Sequence, residues 1–264
     1  MKNEKITVIL PTYNRSDKLK ETIKSIEDSE YPNEKIELLV IDDCSIDNTA
    51  KAIKTLRKKY KNIKYFKTDK NSGPAATRNL GVKNSTGKYL FFTDDDCVVS
   101  KNIFKVYVSF LEKNKKVMGV GGYLIPASKN IFARIELFKD KILGIDDKSI
   151  KIGKNLPVGF TCNVIYRKEV FEEFGGFNEK IKIPAGEDLE FKKVVCQKYD
   201  MASLPTKVYH NHNYNLDYIL SIIMKQGMGI FPPKEQNKKV LIILKNLPYL
   251  IYNIIKKTFY YRRK

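Results

Sequence analysis

Short apolar runs alternate along the chain with longer amphipathic stretches. Residues 6–10 are a β-rich apolar run closed by Pro11, and residues 36–41 and 63–66 repeat the pattern. Residues 89–92, Tyr-Leu-Phe-Phe, carry no polar alternation, which is the signature of a strand buried on both faces. Between these runs the period becomes helical. Leu19, Ile23 and Ile26 line one face of a stretch that Ser16 or Asp17 would cap and that runs to about Glu27. Ser45 or Asp47 would cap a second helix to about Tyr60, and the turn Asn71-Ser72-Gly73-Pro74 opens a third from Ala75 to about Asn84. Strands alternating with helices predict βαβ units: an α/β fold with a mostly parallel sheet flanked by helices. Beyond them the pattern predicts helices over 100–114 and 131–145, a strand over 117–125, a helix from about Arg167 and another opening at Glu187. Gly119-Val120-Gly121-Gly122 reads as strand or turn.

Composition narrows the class. The 264 residues are 42% hydrophobic and 30% charged, which is globular and ample for one large domain or two small ones. The formal net charge of +19 points to anionic partners, although a general lysine coat accounts for part of it. The four cysteines, Cys44, Cys97, Cys162 and Cys196, form no zinc or disulfide spacing, so a reducing cytosol is expected. Residues 1–5 lead straight into the first strand and do not read as a signal peptide.

Chemistry concentrates where the run 89–92 ends in Asp94-Asp95-Asp96. Three adjacent carboxylates repel one another, and a divalent cation with a preference for oxygen relieves that repulsion. An extended backbone there would point Asp94 and Asp96 one way and Asp95 the other. Pro11, Asp43 and Asp94 mark the ends of three strands, which in a parallel sheet share the edge where ligands bind. No G-x-G-x-x-G and no P-loop accompanies them, so a nucleotide here needs a stacking ring, an acid for the base and a metal for the phosphates. Asp188, with Glu187, opens a helix whose N-terminus favours the ionised form. The two histidines, His210 and His212, share one side of an extended segment.

The ordered motifs Val8-Ile9-Leu10-Pro11-Thr12-Tyr13-Asn14-Arg15, Val40-Ile41-Asp42-Asp43-Cys44-Ser45-Ile46-Asp47-Asn48-Thr49, Gly73-Pro74-Ala75-Ala76-Thr77-Arg78-Asn79-Leu80-Gly81 and Phe92-Thr93-Asp94-Asp95-Asp96 resemble glycosyltransferase family 2. The resemblance continues through Asn163, in a segment 160–167 that resembles the family's strand behind the sugar site, and through Phe174-Gly175-Gly176-Phe177-Asn178-Glu179 and Gly186-Glu187-Asp188-Leu189-Glu190 to His210, about four fifths of the chain. It implies a Rossmann-like GT-A fold and an inverting, hexosyltransferase-type enzyme that moves a sugar from a nucleotide-diphospho-sugar, a UDP-sugar above all, to a hydroxyl of a glycan or lipid-linked acceptor. It further implies that Pro11, Thr12, Tyr13 and Arg15 lie at the nucleotide, that Asp43 accepts a base N–H, and that Arg78, Asp94, Asp95 and Asn163 contact the nucleotide-sugar. Asp96 and His210 would hold Mn2+ or Mg2+. Asp188 would be the general base, with Glu187 its neighbour. On local pattern alone Tyr13 as readily covers the sheet edge, Asp43 could cap a helix, Arg78 is as readily solvated or ion-paired, Asp94-Asp95-Asp96 could be a solvated acidic turn, Asn163 is as readily a structural amide, Glu187 and Asp188 are as readily capping acids, and either histidine could face solvent. Where many relatives carry an arginine six positions after the base, this chain has Val194.

These motifs divide the chain into a catalytic domain over 1–235, with a nucleotide half (1–98) and an acceptor half (99–235), and a basic amphipathic helical extension over 236–264. That extension fits an anionic membrane better than a helix packed on the catalytic domain, the other reading open to it; on the membrane reading the enzyme would be cytoplasmic and peripheral on the inner membrane face, working on envelope glycans. Three rivals are a sugar nucleotidyltransferase, which would need a glycine- and lysine-rich loop after the first strand; a nucleic-acid-binding protein, motivated by charge alone with no binding motif; and a catalytically inactive module.

Overall fold

The computed structural model describes residues 3–142, 149–181, 186–215 and 218. Its elements are β1 (Ile6–Thr12), α1 (Ser16–Glu27), β2 (Ile36–Asp42), α2 (Thr49–Lys59), β3 (Ile63–Lys67), α3 (Pro74–Asn84), β4 (Tyr89–Phe92), β5 (Cys97–Val99), α4 (Ile103–Lys113), β6 (Val117–Pro126), α5 (Ile131–Ile142), β7 (Lys151–Gly153), β8 (Val164–Arg167), α6 (Glu169–Phe174), α7 (Glu187–Lys198) and β9 (Asp200–His210). The chain divides into two compact units: Met1–Leu124 with Asp147–His210, and Ile125–Asp146 with Asn211–Lys264.

In the first unit the strands run β3-β2-β1-β4-β8-β6-β9-β5, with β7 beside β9. β1 to β4 pair in parallel, as the βαβ pattern predicts. From β4 onward the pairs with β8, β8 with β6 and β5 with β9 are antiparallel. Strand order reverses beside β1: the chain moves outward to β2 and β3, then returns on the other side as β4. The crevice at such a reversal, beyond the carboxyl ends of β1 and β4, is where an open α/β sheet binds ligands.

Both faces of the sheet are covered, and the strand sequences show it. Ile6, Val8 and Leu10 of β1 and Tyr89 and Phe91 of β4 pack on one side, with Leu19, Ile23 and Ile26 of α1 and Phe104, Tyr107 and Leu111 of α4. Ile9, Leu90 and Phe92 pack on the other, with Phe171 of α6 and Phe191 and Val195 of α7. Phe92 meets Phe177 edge-on at 5.3 Å, so the strand carrying the acids is anchored by rings just before they begin. Gly122 lies where β6 crosses Tyr107; a Cβ there would come within 2.5 Å of the Tyr107 hydroxyl. The Gly-Val-Gly-Gly run is therefore strand.

Several boundaries differ from the sequence pattern. Pro11 does not close β1, which runs on to Thr12. β4 ends at Phe92, opposite Ile9, so at Pro11 the strand has ladder obligations on the β2 side only. The predicted strand over 160–167 shortens to β8, with a turn at Thr161-Cys162-Asn163. The predicted helix over 100–114 begins at Ile103, because the Ser100 N–H still donates to the Lys207 carbonyl of β9, at 3.3 Å. β7 and most of β9 were not in the pattern. The expected segment 236–264 and the end of the 131–145 helix lie outside the described residues. In the second unit, Asn130 caps α5 by accepting the Ala133 N–H at 2.9 Å. No helix of the described residues is long and apolar enough to cross a membrane.

One buried acid beneath the sheet gives a stability signature. Glu37 of β2 accepts Thr7 Oγ1 at 2.6 Å, Lys64 Nζ at 2.7 Å and the Thr86 N–H at 2.8 Å. Burial pushes its carboxyl up, but these donors outweigh it and hold the pKa at about 2, below the ordinary 4.5. A depressed pKa gives stability that is complete above 4.5 and lost as pH falls through about 2. Glu37→Gln should therefore unfold at lower denaturant than wild type at pH 6, and the two midpoints should converge as pH approaches 2.

Candidate active site

The loops after β1 and β2 are fastened to each other. Asn14 and Cys44 both adopt positive φ, 54° and 65°. The Asn14 N–H donates to Ser45 Oγ at 2.9 Å and the Ile46 N–H to Asn14 Oδ1 at 2.8 Å. Asp47 serves two helices, accepting the Ser16 N–H of α1 at 3.1 Å and the Thr49 N–H of α2 at 2.9 Å. The predicted caps Ser16 and Asp17 fall inside the first turn of α1, and the residue before it, Arg15, makes no side-chain cap. Helix α1 is thus capped from a neighbouring loop, which frees Arg15 to face the acids. Tyr13 stands 45% exposed on this ridge.

Asp43 does more than was expected of it. It receives the Ser72 N–H at 2.7 Å, the Gly73 N–H at 2.8 Å and Thr68 Oγ1 at 3.1 Å. It holds the loop that opens α3, whose N-cap Gly73 takes φ +88°, a conformation easy only for glycine. The pattern weighed Asp43 as a ligand or as a cap for the helix after it; the structure gives it the loop before the next helix.

The three consecutive aspartates do not remain extended. Asp95 and Asp96 form a turn closed by the Cys97 N–H on the Asp94 carbonyl at 3.1 Å. The expected pairing of Asp94 with Asp96 is thereby replaced. Asp95 and Asp96 share Arg15 Nη1, at 3.1 and 2.9 Å, while Asp94 turns to Arg78 Nη2 at 2.8 Å. Thr12 Oγ1 donates to Asp95 at 2.8 Å. Burial pushes the Asp95 carboxyl up to about 6, with Arg15 and Thr12 working against the rise.

Arg78 joins this acidic turn to the second acidic motif. Its guanidinium is buried; Nη1 donates to Glu187 at 2.5 Å while Nη2 holds Asp94. The resemblance implied a nucleotide contact for Arg78; in the structure two hydrogen bonds go to carboxylates, and Nε has no hydrogen-bond partner. Glu187 and Asp188 occupy the first turn of α7, and both are buried. Asp188 accepts the Leu189 N–H at 2.8 Å and, from the turn before β8, the Thr161 N–H at 3.2 Å. The helix N-terminus favours the ionised form of Asp188; burial, then the charge of Glu187, opposes it and pushes the carboxyl up to about 6 despite Arg78, which leaves it ionised at neutral pH. Thr161 went unnoticed in the sequence, which singled out its neighbour Asn163. Asn163 is instead turned inward: its Oδ1 accepts the Tyr107 hydroxyl at 2.8 Å and its Nδ2 donates to Tyr123 O at 3.1 Å. It braces β6 and α4, the structural alternative to a donor contact.

At the other end of the turn, Asp96 Oδ1 lies 3.3 Å from His210 Nε2 at the end of β9. One hard oxygen and one imidazole nitrogen suit a divalent ion such as Mn2+, which completes its shell with phosphate and water. His212 belongs to the second unit, where its ring packs 4.6 Å from Tyr218. The site therefore gathers Thr12 and Arg15, the acids 94–96, His210, Arg78 on α3, and Glu187-Asp188. Asp43 sits at the N-terminus of the helix that carries Arg78.

A family model described as glycosyl transferase family 2 matches residues 7–175. An uncharacterized glycosyltransferase of Rickettsia conorii is 41% identical over 123 residues, 47% of this chain and 20% of that protein. The poly(ribitol-phosphate) beta-N-acetylglucosaminyltransferase TarS of Staphylococcus aureus is 30% identical over 148 residues, 53% of this chain and 26% of TarS. The chain thus spans about a quarter or less of the length of these curated relatives. Among solved structures, S. aureus TarS 1–349 in complex with UDP superposes with a TM-score of 0.64 at 21% identity, covering 92% of this chain and 71% of that one. The mannosyltransferase PcManGT of Pyrobaculum calidifontis, in complex with GDP-Man and Mn2+, gives 0.66 at 18% identity, covering 86% and 62%. These likenesses show the GT-A architecture.

Proposed function

The chain belongs to glycosyl transferase family 2, and from that premise we propose that it is a metal-assisted, inverting glycosyltransferase that moves a sugar from a nucleotide-diphospho-sugar, UDP-linked, to a hydroxyl of a glycan or lipid-linked acceptor. The observation that carries the reading is the bridge made by Arg78. One buried guanidinium ties the acid at the end of β4 to the acids at the start of α7. Groups suited to a nucleotide-diphosphate and a group suited to take a proton therefore border one site.

In this reading Tyr13, with Pro11 and Thr12, receives the nucleobase on its exposed ring. Asp94, a third exposed at its side chain, faces the ribose. Asp96 and His210 hold Mn2+ or Mg2+, and Arg15 adds positive charge for the phosphates. The bound ion supplies Lewis-acid stabilisation of the departing nucleoside diphosphate. The acceptor oxygen attacks the anomeric carbon as its proton passes to Asp188, the anomeric carbon–phosphate oxygen bond breaks, and the electron pair leaves with the diphosphate. A carboxylate pushed up to about 6 is a stronger base than an exposed aspartate yet still ionised at neutral pH. Glu187, pinned by Arg78, keeps the motif in place beside it. The basic, amphipathic sequence of 236–264 supports an anionic membrane at the cytoplasmic face as the working surface.

The UDP complex of TarS makes UDP the first probe. Calorimetry should detect UDP binding with Mn2+ and much weaker binding with chelator. Asp96→Asn should abolish the difference. Equal affinity with and without metal in the wild type would remove the metal from the account.

A further inference from the structure

Asp94 and Asp96 are both neutralised by arginines, but in different ways. Arg78 is buried, fixed between two carboxylates. Arg15 is 43% exposed at its side chain while the carboxylates it touches, Asp95 and Asp96, are 6% and 3% exposed. Its backbone is held: its carbonyl accepts the Leu19 N–H at 3.0 Å, and the residues on either side of it, Asn14 and Ser16, are bonded to the loop after β2. What can move is the outer, solvated part of the side chain.

Asp96 has two oxygens, and each already points to a cationic or metal-binding group. Oδ2 takes Arg15 Nη1 at 2.9 Å and Oδ1 faces His210 Nε2 at 3.3 Å. A divalent ion on Asp96 and His210 would sit close to the guanidinium, and like charges a few ångströms apart in a partly desolvated site repel by enough to shift an affinity at least tenfold. A diphosphate alters the balance, because its oxygens accept a forked guanidinium and neutralise its charge.

We propose that Arg15 is a built-in competitor of the divalent cation: it holds Asp96 against a free metal ion and transfers to the donor diphosphate when metal and nucleotide enter together. The site is thereby selective for the metal–nucleotide complex over the metal alone. This inference rests on the proposed function for the identity of its ligands, and its test separates the two.

Mn2+ binding to the nucleotide-free protein, read from the electron paramagnetic resonance signal of free Mn2+, is compared for wild type, Arg15→Gln and Arg15→Lys, with melting temperatures to verify folding. Arg15→Gln should bind Mn2+ about tenfold more tightly than wild type. Arg15→Lys, which keeps the charge, should stay within about twofold. Adding Asp96→Asn to Arg15→Gln should remove the gained binding, which locates it. With UDP and Mn2+ together, Arg15→Gln should bind UDP more weakly than wild type. Equal or weaker Mn2+ binding in Arg15→Gln would overturn the proposal, since Arg15 would then brace Asp96 for the metal; so would Arg15→Lys tightening as much as Arg15→Gln. In either outcome metal-dependent UDP binding by the wild type would leave the proposed function standing. Failure of every variant to bind Mn2+, with or without UDP, would overturn both.

Discussion

Asp188→Asn should lose sugar transfer by about two to four orders of magnitude while keeping the affinity for UDP and Mn2+. Asparagine preserves size and can still accept one of the two backbone N–H groups on Asp188, from Thr161 and Leu189, but it takes no proton from an acceptor hydroxyl. The loss should appear in turnover, with donor binding by calorimetry unchanged. The wild-type rate should follow the same carboxylate. With its pKa pushed up to about 6, the base is protonated below that value, so transfer should fall with acid through pH 6 and level off above it. The sign for stability is opposite. The folded carboxyl titrates above its ordinary 3.8, so ionised Asp188 is a burden that grows between pH 3.8 and 6 and persists above. Asp188→Asn should therefore be more stable than wild type at pH 7, by about 1–3 kcal/mol, and should lose that advantage below pH 4. A variant that is inactive and more stable fits a functional acid held in an unfavourable place; full turnover in it would end the mechanism.

Arg78→Met should destabilise the fold by about 3–5 kcal/mol, because it strands buried Glu187 without its partner. For a domain of this size that is a fall in melting temperature of about 10 °C or more. Arg78→Lys should fall between, since one ammonium cannot repeat a fork that reaches Asp94 at 2.8 Å and Glu187 at 2.5 Å. Pairing Arg78→Met with Glu187→Gln should recover part of the loss, because the uncompensated charge goes with it. Neither recovery nor a large initial loss would be seen if the bridge were only a solvated surface pair.

Residues 1–98 were open to reading because their signals are local. An unbroken apolar run gave β4 and an apolar run after Glu37 gave β2, helical spacing gave α1, and three acids after a doubly buried strand marked the crevice edge. What the pattern missed depends on partners distant in the chain. β5 is three residues long and becomes a strand only because β9 lies beside it. β9 contains Pro205, which argues against a strand on local grounds, yet Pro205 is exposed and the ladder continues around it. The turn at Asp95-Asp96 reverses the expected side-chain alternation, so the carboxylate pairing could not be read from the spacing. Asp47 was rightly singled out as a cap, but its second helix lies 31 positions back. The Arg78–Glu187 bridge spans 109 positions and carries no local signature. Asn163, an amide in a family motif, proved to be a brace between β6 and α4.

The most direct test of a single displacement with Asp188 as base is the anomer first released from a UDP-α-sugar, followed by proton NMR with Mn2+ and water as the acceptor. UDP-GlcNAc, bound by the neighbour TarS, is the donor to begin with. The account predicts that the β-anomer appears first and that its appearance is lost in Asp188→Asn. Release of the α-anomer first, or β-anomer release that survives Asp188→Asn, would contradict it.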